Sequence, residues 1–186
     1  DNVHIKTHWT GKIILKDSLH TGIYVSKTTS KLTELTTERT HNVKITVDME
    51  GTGEYVFSPA NTGRGILARR VEDFTVQDCY INKMSMIAVE VASGAGYLKV
   101  VNNNLHENMW GAIAYNGRCF QSIIAHNICS GGKGVIIQTC GHSIVHSNTV
   151  FGDIENLSQC GGISWGEGGF TGIGSVSFNL VKHCNY

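Results

Sequence analysis

The chain has 186 residues, enough for one domain with a sizeable core. It is 41% hydrophobic and carries 15 basic against 15 acidic residues. The first value argues against global disorder, and the second against the basic excess that a nucleic-acid or anionic-membrane partner favours. No run approaches the ~18 apolar residues of a membrane span, so membrane insertion is not expected. No signal peptide is seen, and because Asp1 rather than Met stands first, the chain is expected to be a piece of a longer one.

In chain order, Val3 to Trp9, Lys12 to Lys16, Ile23 to Lys27 and Val43 to Asp48 read as strands rich in β-branched residues. Between them, residues 28–41 are Thr-rich and charged. They read equally as an exposed loop or as a short helix over Lys31 to Arg39 capped by Ser30.

From Gly65 onward a repeat sets in. Gly65-Ile66-Leu67-Ala68, Ala88-Val89-Glu90-Val91, Gly111-Ala112-Ile113-Ala114 and Gly134-Val135-Ile136-Ile137 start 23 residues apart, and Gly162-Ile163-Ser164-Trp165 follows 28 later. The extra length predicts an inserted loop over residues 151–161. A second strand-like run follows each: Phe74 to Ile81, Tyr97 to Leu105, Phe120 to Cys129, His142 to Val150 and Gly174 to Val181. These runs share a branched residue with Asn three positions on. The asparagines are Asn104, Asn127, Asn148 and Asn179, separated by 23, 21 and 31 residues. Cys79 stands in the same place in Val76-Gln77-Asp78-Cys79. Stacked amides can satisfy one another up the repeat, so these positions read as an internal ladder.

The six cysteines, at 79, 119, 129, 140, 160 and 184, form no CxxC pair. That gives little support to a zinc site, and free thiols filling small gaps between strands are expected. No metal and no cofactor is assigned.

Strand side chains alternate. Ile66 and Ala68, Val89 and Val91, Ala112 and Ala114, and Val135 and Ile137 are expected to point inward. Leu67 and Arg69, Glu90 and Ala92, Ile113 and Tyr115, and Ile136 and Gln138 are then expected outward, with Ser164 continuing the row.

Coils of this length with short strands and stacked Asn resemble the right-handed parallel β-helix, an all-β solenoid with coils of about 23 residues. The resemblance covers about Val43 to Tyr186 well, the whole chain 1–186 being read as one domain. It is to the pectate-lyase-like superfamily, and within it most to phage tailspike depolymerases. It implies a domain of a phage virion tail or the extracellular space, a homotrimer of helices packed side by side, and a bacterial surface polysaccharide as partner. Outward apolar residues such as Leu67, Ile113 and Ile136 fit that packing.

The family's sharper signatures are absent. Cys140-Gly141-His142-Ser143 has Ser where polygalacturonases have a second Gly, and no family catalytic residue carries over. Glycoside hydrolysis needs two carboxyls. Glu90, mid-strand on the expected outer face, is the first candidate, with Asp153, Glu155 or Glu167 as partner, and Glu107 beside Trp110 a further one. Arg69, Tyr115, Gln138 and Trp165 are the candidate sugar-binding residues. A lyase would instead need a base and a neutralised carboxylate, for which Arg69, Arg70, Arg118, Lys133 or His142 are available. His126 and His146 flank ladder asparagines and read as ordinary stack residues. The expected function is therefore polysaccharide binding and cleavage by paired carboxylates. The alternatives are a lyase of the same fold and a non-catalytic receptor-binding or adhesin β-helix.

Overall fold

A computed structural model describes residues 3–7, 11–26, 40–55, 62–92, 95–116, 119–131, 133–139, 141–152, 161–165 and 174–184. The chain winds as a right-handed parallel β-helix whose coils contribute strands to three parallel sheets. Sheet A stacks Val3–Lys6, Thr40–Thr46, Val71–Gln77, Ala95–Val101, Ser122–Ala125, Ser143–His146 and Ser175–Ser177, with Cys119–Phe120 beside Ala95–Val101. Sheet B stacks Ile13–Ile14, Asp48–Glu50, Tyr80–Asn82, Asn104–Asn108, Ile128–Gly131, Thr149–Gly152 and Leu180–Lys182. Sheet C stacks Ile23–Val25, Ile66–Arg69, Ile87–Ala92, Gly111–Asn116, Val135–Thr139 and Gly161–Trp165.

The long second run of each coil is thus two strands, one in sheet A and one in sheet B. A single residue in the left-handed region bends the chain between them: Asp78, Asn102, His126, Ser147 and Phe178, at φ of 54, 59, 56, 53 and 53°. The next residue is the ladder residue. In order up the column these are Cys79, Asn103, Asn127, Asn148 and Asn179, so the second rung is not where the sequence pattern put it: Asn103, not Asn104, occupies the ladder. Val76 pairs with Val100, not with Val101. The stretch Val100-Val101-Asn102-Asn103-Asn104 offers two branched residues and three asparagines, so a slip of one residue is invisible in the sequence. Asn103 is 2% exposed, whereas Asn104 starts a sheet B strand and is only partly buried.

The middle rungs, Asn127 and Asn148, use their full bonding capacity. Asn127 Oδ1 accepts from the backbone N–H of Asn103 at 3.0 Å and from Asn103 Nδ2 at 2.9 Å. Asn127 Nδ2 donates to Asn148 Oδ1 at 2.9 Å and to the Val100 carbonyl at 2.9 Å. The chain positions linked are 24, 21 and 31 residues apart for Asn103–Asn127, Asn127–Asn148 and Asn148–Asn179. Cys79 begins the column. Its backbone N–H donates to Asn103 Oδ1 at 3.0 Å and its sulfur accepts from Val47 N at 3.3 Å.

Beside the ladder the interior is chiefly apolar: Ile45, Phe74, Val76, Leu98, Val100, Ile124 and Val145 from sheet A meet Met49, Ile81, Leu105, Cys129 and Val150 from sheet B. Cys79, Cys129 and Cys184 are free, and the first two are buried. Burial pushes the Cys79 thiol up to about 12 and raises that of Cys129 further, so both act as small apolar fillers.

Sheet C departs from expectation. Ile66 pairs with Val89, Val89 with Ile113 and Ile113 with Ile137. The third coil therefore slips by one residue, which exchanges its faces. Ile113 and Tyr115 point inward, both 0% exposed and in the main core, where Ala112 and Ala114 were expected. In the fourth coil the slip reaches two, so Ile137 is inward as expected. The middle of sheet C is also buried on both faces, as Ile87–Ala92 and Gly111–Asn116 show. Strands covered on both sides lose their polar alternation. Leu67, Ile113 and Ile136, at 2, 0 and 0% exposure, are satisfied within one chain and require no partner subunit. Of residues 28–41, Thr40 and His41 begin a sheet A strand, and the remainder lies outside the described residues, as do 153–160 of the expected inserted loop.

Candidate functional site

Glu90 points away from the core on sheet C, beside Leu67 and Ala114 in register. It is 5% exposed. Its Oε2 accepts a charge-assisted bond from Arg64 Nε, and its Oε1 accepts from Asn116 Nδ2 at 3.0 Å. Gln138 Nε2 donates in turn to Asn116 Oδ1 at 2.9 Å. Arg64, itself 6% exposed, also donates through Nη1 to the Thr62 carbonyl at 2.6 Å. Arg64, Glu90, Asn116 and Gln138 thus form one hydrogen-bonded row across successive coils. Two of the expected site residues, Glu90 and Gln138, belong to it. Both oxygens of Glu90 are engaged, which suits holding coils in register better than transferring a proton.

The other expected residues do not join this row. Tyr115 is a core residue, and Trp165 packs against the same core. Arg69 is half-buried at the end of its strand, in register with Ala92. Asp153, Glu155 and Glu167 lie outside the described residues. Glu107 has an exposed carboxyl on sheet B at φ 54°, 3.7 Å from His106 Nδ1. Trp110 stacks on Tyr55 with centroids 6.2 Å apart, and Lys133 Nζ lies 4.6 Å from the Tyr55 centroid. His126 and His146 meet edge to face at 5.1 Å. Among the described residues, no group of three or more His, Cys, Asp or Glu side chains is placed to hold a metal ion.

An accessible concavity among the described residues lies elsewhere, on the outer face of sheet A. A groove of about 630 Å³ crosses four coils, lined by Asn42, Lys44, Asp73, Thr75, Tyr97, Lys99, Gln121 and Ile123 with the backbone edge of Val43 and Leu98. Two columns build it. Lys44, Thr75, Lys99 and Ile123 are in direct register. They stand out because their neighbours Val43, Ile45, Phe74, Val76, Leu98 and Val100 all turn inward. The second column is Asn42, Asp73, Tyr97 and Gln121, which are exposed and held at φ of 54, 52, 51 and 49°. One left-handed residue per coil leaves the strand at the same level each time. Beside the groove, Asn102 and then Gln77 hold the Asp78 carboxyl below its ordinary value, with the Lys44 charge adding to the effect.

None of these groove residues was a candidate in the sequence. The signal was present in Val43-Lys44-Ile45, Phe74-Thr75-Val76 and Leu98-Lys99-Val100, whose clean alternation marks a sheet with one wet face. The sheet C runs, lacking alternation, drew the assignment to a covered face. Comparison with protein-family models, curated protein sequences and solved structures returned no match.

Proposed function

We propose that the chain is a polysaccharide-binding β-helix of the tailspike type, within the pectate-lyase-like superfamily, and that it engages an extended bacterial surface glycan lengthwise in the sheet A groove. The observation that carries this reading is the groove itself: open, shallow, and lined coil after coil by amide, hydroxyl, ammonium, carboxylate and phenol groups. Such a mixture bonds sugar hydroxyls and stacks on sugar rings, and its repeat along the helix axis suits a polymer better than a compact ligand. Cleavage by paired carboxylates is a weaker reading, because Glu90 is tied to Arg64 and Asn116. Side-by-side trimers fit the tailspike reading, with Ile128 and Ile144, 49 and 46% exposed, as available apolar contacts.

The test is incubation with a panel of capsular and lipopolysaccharide glycans. Retention of at least one polymer, lost when the groove is altered, supports the reading. New reducing ends would add hydrolysis, and an accompanying ultraviolet absorbance from unsaturated sugar ends would indicate a lyase. Retention that is insensitive to every groove substitution overturns the assignment of the site.

A further inference from the structure

Three features of the sheet A groove narrow its ligand. Lys44 and Lys99 occupy the same outward column with Thr75 between them. Neighbouring strands lie ~4.8 Å apart, so the two lysines rise from backbone positions about 10 Å apart. A sugar ring in an extended chain advances by a distance of the same order as one strand spacing. The two ammonium groups therefore match every second sugar, with the Thr75 hydroxyl facing the one between.

Neither ammonium is closed off by an ion pair: among the described residues, Lys44 and Lys99 have no carboxylate within ion-pair distance, and Asp78 acts on Lys44 only at longer range. Asp73 lines the groove too, but in the other column, where a carboxylate accepts sugar hydroxyl donors.

Tyr97 is the third feature. Asn and Asp tolerate the left-handed region, as at Asn42 and Asp73, whereas a bulky aromatic residue is an outlier there. Tyr97 nonetheless holds φ 51° and leaves its side chain 51% exposed, directly beside Lys99. The coil needs a left-handed residue at this level, as at Asn42, Asp73 and Gln121, and at Tyr97 that residue also presents an exposed ring to the groove.

We infer that the groove takes a linear anionic glycan with an acidic group on every second sugar, the lysines meeting its acidic groups and Tyr97 stacking on a ring. This rests on the groove being a glycan site. The experiment immobilises capsular polysaccharides of known repeat, each in native and carboxyl-reduced form, and measures retention of the wild-type chain, Lys44→Gln/Lys99→Gln and Tyr97→Asn. The asparagine keeps the left-handed backbone comfortable, so Tyr97→Asn should fold at least as well as the parent, as melting by circular dichroism would show. Polymers with alternate acidic sugars should be retained. Carboxyl reduction and the double lysine variant should each weaken retention about tenfold, the scale of two exposed charge contacts. Tyr97→Asn should weaken retention of native and reduced polymers alike. Equal retention of native and carboxyl-reduced polymers overturns the anionic ligand while leaving a glycan site in place. Undiminished retention by Tyr97→Asn overturns the stacking role. Retention of no polymer removes the glycan reading and this inference together.

Discussion

Asn103 Nδ2 donates to Asn127 Oδ1 at 2.9 Å, joining two residues 24 positions apart whose backbones lie one coil from each other. The bond is buried, and each amide also satisfies a backbone carbonyl in the coil below it, Val76 for Asn103 and Val100 for Asn127. Removing one rung therefore strands several buried groups at once. Asn103→Ala leaves the Cys79 N–H without its side-chain acceptor and Asn127 Oδ1 with one donor fewer. A loss of about 3 kcal/mol is expected. Asn104→Ala, on the outer side of sheet B, should change stability by no more than ~0.5 kcal/mol. Chemical denaturation of both variants checks the register directly, since the opposite ranking would move the ladder by one residue.

Cys79 begins the column with a poorer acceptor. Its sulfur sits 3.3 Å from Val47 N and 3.6 Å from the Ile45 carbonyl, the places a ladder amide would fill with its oxygen and nitrogen. Cys79→Asn should extend the ladder by one rung and raise stability by about 1 kcal/mol. Thermal unfolding measures it. A clear loss would mean that the site is too tight for the larger side chain.

The repeat was legible because coil-to-coil contact demands it: a branched residue fills the interior and an amide three positions on closes the turn. The ladder members Asn127, Asn148 and Asn179 could be placed from sequence alone. What failed was parity. A single extra residue between Val89 and Ile113 turns Tyr115 from an exposed ring into a core residue, and nothing in Gly111-Ala112-Ile113-Ala114-Tyr115 marks the change, since alanine and isoleucine suit either face. The Glu90 network failed to show for another reason. Arg64 lies 26 positions from Glu90, and only the winding of the coil brings them together.

Arg64 and Glu90 form a buried pair, with side chains 8 and 7% exposed. Glu90→Gln leaves the Arg64 guanidinium without a counter-charge, and about 3 kcal/mol should be lost. Replacing both at once, as Arg64→Met/Glu90→Leu, should restore most of that, because two apolar side chains carry no desolvation penalty. A double-mutant cycle by denaturation distinguishes this from a catalytic assignment. A fully stable Glu90→Gln protein that has lost glycan cleavage would return Glu90 to the reaction.

Burial raises the Cys79 thiol from its ordinary value of 9.0 to about 12, and burial likewise raises Cys129. For Cys79, the unfolded chain gives up its thiol proton near pH 9 while the folded chain keeps it to about 12. In that window the unfolded state binds fewer protons, so stability must fall as pH rises. The contribution is fully present below pH ~9 and lost progressively up to ~12. Denaturation midpoints across that range should fall for the wild type, and fall less steeply for Cys79→Ala measured against its own neutral-pH value. The same burial governs reactivity, since the attacking species is the thiolate. At pH ~8 the native chain should alkylate at the half-buried Cys184 well before Cys79 or Cys129, which should react only on unfolding. Mass spectrometry of peptides after timed alkylation reads the order, and rapid native labelling of Cys79 would contradict its place inside the coil.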